Sequence, residues 1–305
     1  MSRAIPGAGR LCYTRAMAEA WTVRRIVAWI QADLDKRGMD NARLDADLLV
    51  AHALQQKRIA LYLDLDRPLI DAELSAIRAL VARRRAYEPI AYILAEREFY
   101  GRPFEVNRDV LIPRPDTETL VEQALLCVRG GPEGTLLDLC TGSGAVAVTL
   151  AAELGKRAVL ATDISAAALA VAARNAERNG VAERVALREG DLFAVLSADE
   201  RFAAITINPP YIGQQEMLEL DADVREHEPH LALDAGSDAL SFYRRIAKDA
   251  SKHLAEGGSL LVEVGHTQAA EVAALFAAQG LLDVRTAKDL AGTERVVLAR
   301  YAAAG

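Results

Sequence analysis

From Thr135 onward, short apolar runs alternate with helical stretches, and that alternation leaves few folds open. Residues 136–139, 158–163, 185–189 and 202–208 read as strands. Between the first three fall helices at 145–154 and 166–179, and helices at 240–254 and 267–280 flank a further strand at 259–264. Two more strands, 284–287 and 295–300, fit an antiparallel pair at one side of the sheet. Strands that alternate with helices pair in parallel, with helices on both faces. The expected fold is therefore an α/β, Rossmann-like doubly wound sheet.

The first 95 residues follow a different rule. Val23, Ile26, Val27 and Ile30 recur at helical spacing, as do Leu44, Leu48, Leu49 and His52, then Leu74, Ile77, Leu80 and Val81. A bundle of four or five helices is expected over 21–95, broken at Gly38, Pro68 and Pro89. Charge changes at the same place. Residues 21–95 hold 12 basic and 10 acidic side chains, whereas 96–305 hold 21 and 32. Between the halves, over 96–112, Phe99, Tyr100, Phe104, Val106, Val110, Leu111 and Ile112 surround Gly101, Pro103 and Asn107-Arg108 and read as a β-hairpin. Asp116 or Thr117 is placed to cap a helix running to Leu126. Residues 1–20 carry Arg3, Arg10 and Arg15 with one late acid. They read as a disordered extension, or as an upstream start before Met17, rather than a targeting segment.

Composition narrows the function. A net charge of −7 and 5% aromatic residues argue against a basic, base-stacking nucleic-acid surface. Three cysteines make neither a disulfide framework nor a zinc cluster and suit a reducing, cytoplasmic setting. No apolar run reaches the ~18 residues of a membrane span.

Two segments carry chemistry. Cys140, Thr141, Gly142, Ser143 and Gly144 follow a strand and open a helix, where glycines let a ligand approach free backbone N–H groups. Taken alone, this is also what a tight strand-to-helix turn requires. Asp163, at the end of the next strand, is placed to accept from two ribose hydroxyls, or to cap the helix at Ser165. Asp191 could accept from an adenine amine while Leu192 or Phe193 covers the ring, or Asp191-Leu192 could be a surface turn.

The second segment is Asn208-Pro209-Pro210-Tyr211, at the carboxyl end of the fourth strand. Two prolines stiffen the loop and remove its donors. The Asn208 side-chain oxygen and the Pro209 carbonyl can then accept both hydrogens of a planar NH₂ group, with Tyr211 against its plane. Holding those hydrogens on one side aims the nitrogen lone pair at an electrophile without a strong base. His227 and His230 lack further metal-ligand partners nearby in sequence, so no metal is expected.

Together the two segments resemble class I S-adenosyl-L-methionine-dependent methyltransferases that act on amino nitrogens. Residues 91–94, 98–101, 104–106 and 110–118, with 42–49, Glu228-Pro229 and Glu294-Arg295-Val296, resemble the HemK/PrmC release-factor glutamine methyltransferases over roughly 21–301. Cys140 and Ala95 stand where that family often has glycine. The resemblance implies transfer of a methyl group from S-adenosyl-L-methionine to N5 of the glutamine in the Gly-Gly-Gln motif of peptide-chain release factors. It implies a cofactor site at residues 140–144, Asp163, Asp191, Leu192 and Asn208, and a substrate and catalytic site at residues 208–211. It also implies a substrate-docking domain at 21–95, a hairpin linker at 96–116 and a methyltransferase domain at 117–305, in a monomer. Two alternatives share Asn-Pro-Pro-Tyr: ribosomal-protein glutamine methylation, whose enzymes often carry the same Asp-Leu-Cys-Thr-Gly-Ser-Gly loop, and adenine-N6 methylation of nucleic acid.

Overall fold

A computed structural model of the chain describes residues 20–302; the expectations for residues 1–19 lie outside them. The chain divides into two compact units, at Ala86/Tyr87.

The first unit holds helices α1 (Val23–Asp35), α2 (Ala42–Ala53), α3 (Arg58–Leu61) and α4 (Asp71–Arg85). The Thr22 hydroxyl caps α1 by accepting from the Arg25 N–H, and Val23, Ile26, Val27, Ile30 and Leu34 form its buried face. In α2 the buried face is rotated from the expected stripe. Leu44 and His52 are exposed, while Asp45 and Asp47 lie inside with Ala46 and Leu49. The reason is a buried ion pair: Arg84 Nε lies 2.7 Å from Asp45 Oδ2. Arg85 donates twice to Asp33 and lies over the Trp29 ring. Arg84, buried, and Arg85, half-buried, are therefore both paired with acids of this unit.

The second unit begins with α5 (Ile90–Leu94) and a hairpin of β1 (Glu96–Phe99) and β2 (Arg102–Glu105). The division falls before α5 because the Tyr92 hydroxyl donates to the Val110 carbonyl at 2.6 Å, and Ala91 and Tyr92 pack with Val106, Val110 and Ile112. Residues 110–112 are loop, not strand. A short 3₁₀ turn, Pro115–Thr117, leads into α6 (Glu118–Arg129), and Thr117 makes no side-chain cap there.

The sheet then forms in chain order. Its members are β3 (Leu136–Leu139), α7 (Ala145–Glu153), β4 (Val159–Asp163), α8 (Ala166–Arg178), β5 (Val185–Glu189) and β6 (Phe202–Ile207). There follow α9 (Ala222–His227), α10 (Ser241–His253), β7 (Leu254–Glu263), α11 (Ala269–Ala278), β8 (Leu282–Lys288) and β9 (Glu294–Arg300). The strand order is β5-β4-β3-β6-β7-β9-β8. β3 to β7 run parallel, and β9 inserts antiparallel between β7 and β8. β7 starts earlier than residue 259 because Leu254 pairs with Phe202 before a register shift. β3 and β6 are buried along their full length, as expected of central parallel strands. Two apolar clusters cover the sheet, one including α6 and α7, the other α10 and α11.

The hairpin is tied to α8. Buried Asn175 accepts from the Glu105 N–H through Oδ1 at 2.6 Å and donates to the Glu105 carbonyl at 2.9 Å. No helix among the described residues is long and apolar enough to cross a membrane.

Candidate functional site

A cavity of about 390 Å³ opens at the carboxyl ends of β3, β4 and β6, where parallel sheets hold ligands. Its wall includes Cys140, Thr141, Gly142, Ser143, Asp163, Asp191, Leu192, Asn208 and Pro210, which were expected. Gly144, Pro209 and Tyr211 stand outside that wall.

The loop after β3 makes a sharp turn. The Gly144 N–H donates to the Thr141 carbonyl at 2.8 Å, and the Thr141 N–H to the Thr162 carbonyl at 3.0 Å. Gly142 and Gly144 have φ of +53° and +79°, and Cys140 has +58°. A Cβ on Gly142 would meet nothing within 4 Å, so this position opens to the cavity. On Gly144 it would lie 3.1 Å from Ala172 Cβ. The first glycine thus admits a ligand to the backbone, and the second admits α8 to the loop. Below the turn, buried Asp138 accepts from the hydroxyls of Thr141 and Thr206 at 2.6 and 2.7 Å. Burial pushes the Asp138 carboxyl up to about 6. Asn175 Nδ2 holds the Ser143 carbonyl at 2.9 Å. Burial also pushes the Cys140 thiol well above its ordinary range.

Asp163 braces this loop. Its Oδ2 accepts from the Gly142 N–H at 2.8 Å and its Oδ1 from the Ser165 N–H at 2.9 Å. The helix cap is Ser165 itself, whose hydroxyl accepts from the Ala168 N–H. With the Ile164 N–H, three backbone donors share the four lone pairs of this carboxylate, which leaves room for a ligand hydroxyl. Burial raises the Asp163 pKa. Ile164, half exposed next to it, gives the cavity an apolar wall. Asp191 shares its charge with Arg245, whose Nη2 donates to Oδ2 at 2.6 Å. Arg245 also lies over the Phe242 ring, and both line the cavity. Neither has a local sequence signal, because Arg245 and Asp191 are separated by 54 positions.

At the other end, β6 delivers Asn208 to the wall. Asn208 Nδ2 donates to Thr117 Oγ1 at 3.3 Å. Pro209 and Pro210 are buried. The Tyr211 carbonyl accepts from Gln268 Nε2 at 3.1 Å, and Gln268 Oε1 accepts from the Gly265 N–H and the Tyr243 hydroxyl. The Tyr211 ring lies against Gly265 rather than along the cavity, and the lack of a Cβ there makes room for the Gln268 side chain, which a Cβ would meet at 2.9 Å. Burial, then Glu263, pushes the Tyr211 hydroxyl up to about 12. Arg114, on the same wall, donates to Glu228 Oε1 at 2.6 Å, and Glu228 Oε2 accepts from the Ile112 N–H at 3.0 Å. Glu228-Pro229 and the 110–114 segment therefore meet. His227 Nδ1 lies 3.4 Å from Arg108, and His230 Nε2 is 3.0 Å from the Arg225 carbonyl.

These surroundings suit a sulfonium nucleoside. Glycine backbone faces the cavity, a carboxylate sits one strand over, and apolar side chains flank it.

The sequence model of the PrmC N-terminal domain matches residues 25–94, and that of the methyltransferase small domain matches 117–225. The chain is 46% identical over 279 residues to a release factor glutamine methyltransferase of Geobacter sulfurreducens, covering 92% of this chain and 96% of that one. The chain belongs to the release factor glutamine methyltransferase family. A relative of the same description from Cereibacter sphaeroides is 48% identical over 267 residues, covering 88% and 94%. The solved hMettl16 catalytic domain, in complex with a MAT2A 3′UTR hairpin, is 18% identical and shares the fold. It has a TM-score of 0.54 over 89% of this chain and 90% of that one. The family's enzymes are S-adenosyl-L-methionine-dependent, and the order β5-β4-β3-β6-β7-β9-β8 is the class I methyltransferase sheet.

Proposed function

We propose that this protein methylates the side-chain amide nitrogen, N5, of the glutamine in the Gly-Gly-Gln motif of peptide-chain release factors. The observation that carries the reading is Asn208, held at the cavity wall by its own NH₂ group so that its carbonyl oxygen remains available as an acceptor.

Residues 140–144 and Asp163 would hold S-adenosyl-L-methionine, with Ile164 and Leu192 against its ring. When bound, that group supplies a methyl carbon made electrophilic by a positive sulfur. The chain's own residues do the rest. An amide nitrogen is a weak nucleophile because its lone pair is delocalised into the carbonyl. Asn208 Oδ1 and the Pro209 carbonyl accept its two hydrogens, orient the lone pair and stabilise the charge that develops on nitrogen. Pro209 and Pro210 fix the loop so that this geometry exists before the substrate arrives. Tyr211 contributes through its carbonyl, tied to Gln268, and through packing against Gly265. The reacted nitrogen then releases a proton to water.

A protein substrate suits the charge. Residues 96–305 carry 21 basic and 32 acidic side chains, a poor match to a phosphate backbone. The helical unit is the part available for docking the release factor. Mass spectrometry of a purified release factor, incubated with the enzyme and S-adenosyl-L-methionine, tests the reading. A single added methyl on the Gly-Gly-Gln glutamine is expected. Methylation of ribosomal protein or of an adenine oligonucleotide instead would overturn it.

A further inference from the structure

Glu263 is the last residue of β7 and is 1% exposed. The strand register places Val262 opposite Ile207, so the next step along each strand brings Glu263 beside Asn208. Thr117, at the head of α6, reaches both. Its hydroxyl hydrogen-bonds the Glu263 carboxylate and accepts from Asn208 Nδ2. The neighbouring arginines are committed elsewhere: Arg114 to Glu228, and Arg295 to Asp289 and Asp116. Among the described residues Glu263 makes no ion pair, and its Oε2 has no hydrogen-bond partner. A buried carboxylate is costly, and nothing in the packing of the sheet calls for one here.

We propose that Glu263 is a positioning residue for methyl transfer: its carboxylate takes the only hydrogen of the Thr117 hydroxyl, which obliges Thr117 to accept from Asn208 Nδ2 and leaves Asn208 Oδ1 facing the target amide. The direction of the chain is what matters. A carboxylate can only accept, so it fixes the hydroxyl, and the hydroxyl fixes the amide. A protonated Glu263 could donate to Thr117 instead. The Thr117 hydrogen would then be free for Asn208 Oδ1, and the turned amide would present NH₂ to NH₂. The inference rests on the glutamine-amide reading above.

The groups facing Glu263 are Arg295 from β9, Arg114 and Asp116 before α6, and the hydroxyls of Thr117, Tyr211 and Tyr243. Burial outweighs the Thr117 bond and the two arginines, and pushes the carboxyl up to about 7. The ordered chain therefore forms as pH rises through neutrality.

The test is the rate of transfer to a purified release factor at saturating S-adenosyl-L-methionine, from about pH 6 to about pH 8.5, with cofactor affinity measured by calorimetry alongside. In the wild type kcat should rise with an apparent pKa near 7. In Glu263→Gln kcat at high pH should fall about tenfold and lose that pH dependence, with cofactor affinity within about twofold. Thr117→Val should behave alike and Thr117→Ser should restore the wild-type profile, so the idea stays testable if Glu263→Gln does not fold. A Glu263→Gln enzyme with the wild-type rate and profile would overturn it. So would a Thr117→Val enzyme that retains the profile. Equal losses of kcat and cofactor affinity would also overturn it. No transfer by the wild type would instead overturn the glutamine reading.

Discussion

The loop after β3 and the loop after β6 leave the same edge of one sheet, yet they are held by opposite means. Residues 140–144 owe their shape to backbone freedom: Gly142 and Gly144 at positive φ, an open face at Gly142, and N–H groups held by the Asp163 carboxylate and by carbonyls of the turn. Residues 208–211 owe theirs to backbone restriction, with two prolines and a buttress of buried polar side chains. The contrast follows the tasks proposed for the two loops. A cofactor must enter and leave many times, and a backbone left open by glycine serves it. A target amide must be held at one angle, which asks for rigidity.

The sharpest way to break the comparison is Asn208→Ala. If the loop after β6 serves the target alone, kcat should fall by about 10²–10³-fold, as for loss of a transition-state hydrogen-bond partner. Cofactor affinity should change by less than about twofold. An equal loss in affinity would mean that Asn208 belongs to the cofactor end.

Asp163→Ala asks the converse. Losing the acceptor for ligand hydroxyls and the brace on the Gly142 N–H should weaken cofactor binding about 10- to 100-fold. At saturating cofactor kcat should stay within about threefold. Burial raises the Asp163 pKa, so its charged form is lost at higher pH than an ordinary aspartate as acid is added. Cofactor affinity should accordingly decline on the acid side, and the Asp163→Ala protein should not show that decline. A pH-independent affinity in the wild type would remove Asp163 from the ligand.

The contrast also marks how far the sequence alone could be read. The sheet, the glycine turn, Asp163 and Asn208 are all visible because each rests on a local pattern: period, turn chemistry, or a residue at a strand end. What depends on distant partners is not. Leu44 looks like a core residue of α2, yet it is exposed, because Arg84 neutralises Asp45 and lets the acidic side of the helix turn inward. Asp191 looks like an unpaired acid, yet Arg245 from α10 donates to its Oδ2. Thr117 reads as a helix cap, but its hydroxyl goes to Asn208. Asn175 appears as one more polar residue in an alanine-rich helix, yet it ties the hairpin and the Ser143 carbonyl together. Tyr211 seems suited to lie on the target, but its carbonyl is tied to Gln268, 57 positions away, and its ring lies against Gly265.

The smallest expected effect separates the two glycines of the proposed cofactor loop. Gly144→Ala would set a Cβ 3.1 Å from Ala172 Cβ and 3.3 Å from its Cα, at a φ that L-residues resist. That should cost about 1–2 kcal/mol in urea unfolding from the backbone alone, with the clash against α8 adding to it. Gly142→Ala meets no atom within 4 Å, so its stability loss should be confined to the backbone share. Its methyl would instead stand where the ligand must approach, and cofactor affinity should drop several-fold. Opposite ranking in the two assays, with Gly144→Ala worse for stability and Gly142→Ala worse for binding, is what a backbone-built site demands. If both substitutions scaled alike in both assays, the loop would be a tight turn whose shape matters to the fold and not to the ligand.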